Sequence, residues 1–171
     1  MKQLSFVLCA ALLVAGCAQS PFGRGGAADD AALAGAGATG IAPGGVNDPA
    51  SVAYFRQSVG DRVLFPVDQS TLTPEARAVL AAQAQWLQQN PQYAVTIEGH
   101  ADEQGTREYN LALGARRAAA AQEFLASQGI ASTRINTVSF GKERPLEICS
   151  DEACYAQNRR AVTVLASGAG V

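Results

Sequence analysis

Hydrophobic and polar positions follow two different periods along this chain, and these periods predict alternating strands and helices after about residue 60. The segment DRVLFPVD places Val63 and Phe65 on one side and Leu64 on the other, which is the period-two pattern of a strand. A helix is predicted to begin at Thr73-Pro74, a pair typical of an N-cap followed by the first helical position. The apolar residues on its predicted buried face are Ala76, Val79, Leu80, Ala84 and Leu87.

Three more strands and a second long helix complete the predicted order. The segment YAVTIEG alternates, with Tyr93, Val95 and Ile97 on one face, and a long helix is predicted from Thr106 to Gln128. The segments RINTVSFG and AVTVLA predict the last two strands, with a short helical turn between them near residues 150–157. The order β-α-β-α-β-(α)-β predicts an α/β sandwich whose helices pack on one mixed sheet.

The first 16 residues have the pattern of an export signal. Lys2 precedes an apolar run from Leu4 to Val14, which is too short to span a bilayer but has the length of a secretory signal core. The run leads into VAGC, which resembles a bacterial lipobox and predicts that Cys17 carries lipid after residues 1–16 are removed. An ordinary signal peptide that contains a cysteine is the alternative. Bacterial lipoproteins with an aspartate after the lipidated cysteine tend to stay in the inner membrane, and by resemblance Ala18 at this position favours the outer membrane.

Composition separates a linker from a domain. Residues 17–50 are rich in glycine, alanine and proline and show no hydrophobic period. Such a segment buries too little apolar surface to offset its backbone entropy, so a flexible linker is predicted before a folded domain at residues 51–171. The formal net charge is −2 and no run of Lys and Arg occurs, which argues against sequence-independent nucleic-acid binding.

Two cysteines lie within the predicted domain, Cys149 and Cys154, in the segment ICSDEAC. Export to an oxidising compartment favours a disulfide between them. A metal site is the alternative, but His100 is the only histidine of the chain and does not complete a convincing ligand set. The sequence therefore predicts a disulfide, with no metal and no cofactor.

The long predicted helix carries an arginine on its apolar face. Asn110, Leu113, Arg117 and Phe124 are spaced to share one side of the helix. Because an unpaired guanidinium on that side is costly, Arg117 is expected either to extend to the surface or to pair with a carboxylate. Asp102 is the nearest candidate, and the Asn110 amide is expected to hold the intervening loop. A carboxylate beside a constrained guanidinium suits a zwitterionic ligand, and an internal salt bridge is the alternative.

An enzymatic site is less well supported. His100 and Asp102 lie two residues apart near a strand end, which does not by itself make a proton-transfer pair. No serine occurs in a G-x-S-x-G pattern, and nothing marks Glu98 and Asp102 as a catalytic pair of carboxylates. We therefore expect a packed or hydrogen-bonded His100 and a protein that is not an enzyme.

The segments EGHADEQGTREYNLALGARRA, VSFGKERP and NRRAV together resemble the OmpA-like peptidoglycan-binding domain family. The resemblance covers about Arg62 to Leu165, and its motifs follow one another with the usual spacing. The lipobox and linker match the layout of lipoprotein members of that family. The resemblance implies non-covalent binding of the cell-wall stem peptide, whose diaminopimelate side chain ends in an ammonium and a carboxylate.

The resemblance also implies which residues contact this ligand. The motif positions that contact diaminopimelate fall on Asp102 and Arg117, and Asn110 and Leu113 occupy the other fixed positions of the same motif. Asp68 matches an acidic residue of the first-strand loop.

Other motif positions are less clear-cut. Val67 stands where the family has an aromatic residue, and Gly114, where serine is frequent, is expected to matter little. Arg159 and Arg160 in NRRAV are candidates for a carboxylate-side or a structural role, and we assign Arg160 to the ligand site.

The partners that the resemblance implies are peptidoglycan, TolB and other Tol-system proteins, during constriction of the outer membrane at division. Nothing in the composition indicates the Tol partners. The alternative is another OmpA-like structural lipoprotein without Tol partners. A flagellar stator subunit is a further alternative, although that class keeps a membrane-spanning helix. A wall-modifying hydrolase is the third alternative function.

Overall fold

The structure is a computed structural model that describes residues 44–148 and 150–167. The predicted signal, the lipidated Cys17 and most of the predicted linker lie outside these residues and stay predictions. Cys149 also lies outside them, so its predicted disulfide with Cys154 stays a prediction. Across the two described ranges, no helix combines the length and the apolar character that crossing a bilayer requires.

The domain is a four-stranded mixed sheet with its long helices packed against it. In chain order the elements are α1 (Val52–Tyr54), β1 (Arg62–Leu64), α2 (Pro74–Gln89), β2 (Tyr93–His100), α3 (Arg107–Ser127), β3 (Ile135–Gly141), α4 (Glu152–Asn158) and β4 (Arg160–Ser167). The strand order is β1-β4-β2-β3, with β2 and β3 parallel and β4 antiparallel to both of its neighbours. The predicted α/β order is confirmed. The short α1, which continues in a π-helical stretch, is an addition that the sequence pattern did not indicate.

The predicted apolar faces form the core. Val63 and Phe65 are buried, and Leu64 on the opposite side of β1 is 40% exposed. Thr73 caps α2 as predicted, because its hydroxyl accepts a hydrogen bond from the backbone N–H of Ala76 at 3.1 Å. Six further apolar residues of the core are 0% exposed: Phe55, Leu80, Leu87, Ile97, Ala118 and Leu125.

The segment before β1 packs on the domain. The indole N–H of Trp86 donates to the carbonyl of Pro49 at 2.7 Å, and the Tyr93 hydroxyl donates to the carbonyl of Ala50 at 3.1 Å. The Trp86 ring also packs between Phe55 and Tyr93, with centroid distances of 4.8 and 5.2 Å. Pro49 and Ala50, at the end of the predicted linker, therefore contact the folded domain.

Helix α3 meets β2 backbone to backbone at two glycines. A Cβ atom at Gly99 would lie 1.8 Å from the carbonyl oxygen of Gly114, and a Cβ atom at Gly114 would lie 2.8 Å from the carbonyl oxygen of Gly99. Any side chain at position 114 would therefore push α3 away from the sheet. The expectation that Gly114 matters little is wrong.

Candidate functional site

A cavity of about 280 Å³ opens between the β1–α2 loop, the β2–α3 loop and the first turns of α3. Its lining residues are Val67, Asp68, Asp102, Gln104, Gly105, Tyr109, Asn110 and Leu113. All the residues predicted to bind ligand line this cavity except Arg117 and Arg160. The structure thus brings together side chains that are far apart in the sequence.

The β2–α3 loop, which forms one wall, is held in place by polar contacts. The buried Asn110 amide donates to the carbonyl of Gln104 at 2.7 Å, as the sequence predicted. The Lys142 ammonium donates to the carbonyl of Gly105 at 2.7 Å. Thr106 caps α3 by accepting a hydrogen bond from a backbone N–H of its first turn. The loop therefore presents its polar groups to the cavity in a defined geometry.

The carboxylate of Asp102 lies in the cavity wall and is only 6% exposed. One of its oxygens accepts a hydrogen bond from the backbone N–H of Gln104 at 3.3 Å, and the other pairs with Arg159 Nη1 at 3.2 Å. The predicted pairing of Asp102 with Arg117 is wrong, because the adjacent guanidinium is that of Arg159, which lies directly before β4. Arg159 also binds the Glu152 carboxylate, and these hydrogen bonds outweigh its burial and raise its pKa.

Arg117 is fully buried, as its position on the apolar face of α3 predicted. Its three nitrogens donate to backbone carbonyls: Nε to Gln69 at 2.8 Å, Nη1 to His100 at 2.8 Å and Nη2 to Pro66 at 3.2 Å. Burial lowers the pKa of Arg117 to about 10, so the group is still charged at neutral pH. Arg117 therefore ties the β1–α2 loop to the end of β2 behind the cavity.

Arg160 lies away from the cavity. Its side chain donates to the carbonyls of Asn158 at 3.4 Å and Arg144 at 3.2 Å, and burial lowers its pKa. Arg159 lies just before β4 and Arg160 is its first residue, and of the two side chains only that of Arg159 contacts Asp102. The sequence motif does not distinguish them; neither arginine lines the cavity, and the assignment of Arg160 to the ligand site stays a prediction.

Comparison with known proteins identifies the family. Residues 64–159 match the OmpA family. A peptidoglycan-associated lipoprotein of Mesorhizobium japonicum is 54% identical over 163 residues, which are 95% of this chain and 90% of that relative. A protein of the same name from Brucella melitensis is 50% identical over 167 residues, which are 98% of this chain and 93% of that relative.

This chain belongs to the OmpA family, among its peptidoglycan-associated lipoproteins.

Solved structures agree with the OmpA-family fold. The crystal structure of the peptidoglycan-associated lipoprotein from Burkholderia pseudomallei has a TM-score of 0.63 and 40% identity, and covers 71% of this chain and 98% of that chain. The C-terminal domain of Helicobacter pylori MotB has a TM-score of 0.59, covers 64% of this chain and 86% of that chain, and at 16% identity shows the fold alone. The family consists of structural proteins, so the chain is not an enzyme.

In this OmpA-family domain His100 is packed rather than exposed, as predicted. It is 2% exposed, and its ring stacks on Phe140 with a centroid distance of 5.5 Å. Neither ring nitrogen makes a hydrogen bond, and the nearest carboxylate oxygen, from Glu98, lies 3.7 Å from Nε2. Burial lowers the pKa of His100 to about 4, and the positive charges of Arg160 and Arg144 contribute. The group is therefore neutral in the folded protein above about pH 5.

This burial predicts an acid-sensitive fold. The unfolded chain protonates His100 near its ordinary pKa of 6.5, whereas the folded chain does so only near 4, so the unfolded state binds more protons between these values. The contribution of neutral, buried His100 to the free energy of unfolding is therefore complete above about pH 6.5, and it is lost as the pH falls from there toward 4. We expect the wild-type free energy of unfolding to drop by about 2 kcal/mol more between pH 7 and pH 5 than that of His100→Gln. Urea unfolding at the two pH values measures this difference. If wild type and His100→Gln lost the same free energy of unfolding between pH 7 and pH 5, the assignment would be contradicted.

Proposed function

We propose that this protein binds the peptidoglycan stem peptide non-covalently in the cavity, through the ammonium and carboxylate of diaminopimelate. The observation that carries the proposal is the charge of the lining. Asp68 and Asp102 both line the cavity, and none of its lining residues in the described part of the chain is basic. Carboxylates in a polar recess bind an ammonium through short, charge-assisted hydrogen bonds.

The ligand carboxylate is assigned to Arg117. A guanidinium has five N–H donors, and three of the nitrogens of Arg117 each donate to a loop carbonyl. Two donors remain, and because Arg117 is fully buried behind the lining, the β1–α2 loop has to shift for an anion to reach them. Asn110 and Leu113 complete the proposed site as a loop support and an apolar wall.

The proposal extends to the membrane anchor and the partners. Lipid on Cys17 holds the protein in the outer membrane with the domain facing the periplasm, and the linker lets the domain reach the cell wall. The name lipoprotein, carried by the relatives, supports this arrangement. We expect Cys17→Ser to release the protein from membranes, and continued membrane retention would argue against the lipid.

The role in the Tol system, with TolB as a partner in outer-membrane constriction at division, rests on the resemblance alone. Purified TolB should bind the lipid-free chain that starts at Ala18. Failure to bind would favour the alternative, an OmpA-like structural lipoprotein without Tol partners.

Co-sedimentation with isolated cell walls tests the wall-binding function. We expect the lipid-free chain to sediment with purified peptidoglycan and to release no soluble muropeptides. A chain that stays in the supernatant would overturn the proposal. Release of muropeptides would instead indicate a wall-modifying hydrolase.

We further propose the Cys149–Cys154 disulfide as a stabilising element. Closing so short a loop is expected to stabilise the fold by about 2 kcal/mol. A thiol assay in denaturant should detect no free thiol in the lipid-free chain before reduction and two afterwards. Two free thiols without reductant would rule the disulfide out.

A further inference from the structure

The β1–α2 loop contains a turn whose shape is held from two sides. Pro66 and Gln69, at the ends of this turn, give their carbonyls to Arg117. Between them Asp68 has a φ of 56°, in the left-handed region that few residues other than glycine adopt. Aspartate is among the residues that tolerate it, so the turn directs the Asp68 side chain without a glycine.

The second support of the turn is Tyr109 on the first turns of α3. Its hydroxyl donates a hydrogen bond to Asp68 Oδ1. Both residues line the cavity, so this bond connects its loop wall to its helix wall. The contact also raises the pKa of Tyr109, which is the expected effect of a hydroxyl that donates to a carboxylate.

The two carboxylates of the cavity differ in how their charge is compensated. Asp102 faces the guanidinium of Arg159 at 3.2 Å, whereas the hydrogen-bond partner of Asp68 is the uncharged Tyr109 hydroxyl. A neutral donor orients a carboxylate without cancelling its charge, and it leaves the second oxygen available as an acceptor. Asp68 forms no salt bridge in the described part of the chain, and the Arg117 guanidinium acts on it from a longer distance, so its negative charge is less compensated than that of Asp102.

We propose that Tyr109 is a positioning residue for ligand recognition, which holds the Asp68 carboxylate toward the cavity so that it receives the ligand ammonium. This inference rests on the proposed function. Without the hydroxyl, Asp68 is an exposed side chain that rotates freely, and the ligand has to order it on binding. Tyr109 thereby contributes to selectivity for a free ammonium.

Isothermal titration with the tripeptide L-Ala-γ-D-Glu-meso-diaminopimelate tests this role. The lipid-free chain is compared as wild type, Tyr109→Phe, Asp68→Asn and the double variant. Tyr109→Phe removes the hydroxyl but keeps the Asp68 charge, whereas Asp68→Asn removes the charge but keeps an oxygen that can accept from Tyr109. We expect each single variant to bind about tenfold more weakly, and the double variant to bind no more weakly than Asp68→Asn.

A second probe separates positioning from a merely structural effect. The same tripeptide with its side-chain ammonium acetylated should bind wild type more weakly than the free form, and Tyr109→Phe should reduce this preference. Tyr54→Phe is the matched control, because Tyr54 lines a different cavity beside Pro49 and Trp86, and it should behave as wild type.

Three results would overturn the inference. Tyr109→Phe could bind and discriminate as wild type does while Asp102→Asn loses binding, which would leave the proposed function intact. The double variant could lose affinity by the product of the two single fold losses, which would mean that Tyr109 acts independently of Asp68. Wild type could fail to bind the tripeptide at all, which would remove the proposed function together with this inference.

Discussion

Asp102→Asn is expected to weaken binding of the stem peptide at least about a hundredfold. The variant keeps the size of the side chain but removes one of the two cavity carboxylates that are proposed to surround the ligand ammonium. It also leaves the buried Arg159 guanidinium, 3.2 Å away, without a carboxylate on the cavity side, and this positive charge then repels the ammonium. A loss of about 3 kcal/mol of binding free energy is reasonable for a charged hydrogen bond in a desolvated site. Titration of the lipid-free chain with a purified muropeptide measures it.

Glu152→Gln is the matched control for Asp102→Asn. Glu152 binds the same guanidinium, but its side chain is 67% exposed and lies outside the cavity lining. The control therefore perturbs Arg159 without removing a cavity carboxylate, and its affinity should stay within a factor of about three of wild type. If Glu152→Gln lost binding as severely as Asp102→Asn, the effect would come from Arg159 rather than from the cavity charge.

Arg117→Ala is expected to lower the free energy of unfolding by about 3–5 kcal/mol. The change leaves the carbonyls of Pro66, Gln69 and His100 without their donors and opens a cavity under α3. Because the side chain is fully buried, water does not readily replace it. Urea unfolding followed by circular dichroism measures the loss.

Arg116→Ala is the control for Arg117→Ala. Arg116 is its exposed neighbour on α3, and its contact is a cation–π distance of 5.9 Å to the Tyr109 ring. Its removal should change the free energy of unfolding by less than about 0.5 kcal/mol. Similar losses for the two variants would contradict the role of Arg117 as the tie between the loop and β2.

Local patterns predicted most of the fold and the position of Arg117, but not its partners. Helical spacing alone predicted that Arg117 points inward, since the apolar Leu113 and Phe124 share its face. The partner of Asp102 was missed because Arg159 lies 57 residues along the chain, and the pairing of β4 with β2, which places Ala161 opposite Gly99, brings it beside Asp102. Proximity in the sequence favoured Arg117 as the partner of Asp102, but the strand order places Arg159 beside it.

Two further contacts of the structure could not be predicted from the sequence. The contact of α3 with β2 at Gly99 and Gly114 depends on the angle at which helix and strand cross, which single-chain periodicity does not encode. Tyr109 lies at an exposed helix position, and its partner Asp68 is 41 residues away in a turn with a positive φ. Both features follow from tertiary geometry rather than from residue preference.

The most direct test of the central claim is a titration of the lipid-free chain with two tripeptides that differ in one group. One carries meso-diaminopimelate and the other carries L-lysine, which has the ammonium but lacks the neighbouring carboxylate. A site that recognises both ends of a zwitterion is expected to bind the diaminopimelate peptide at least about tenfold more tightly, and Asp102→Asn should weaken that binding at least about a hundredfold. Equal affinity for the two peptides, or an affinity of Asp102→Asn close to that of wild type, would contradict the assignment of this cavity as the diaminopimelate site.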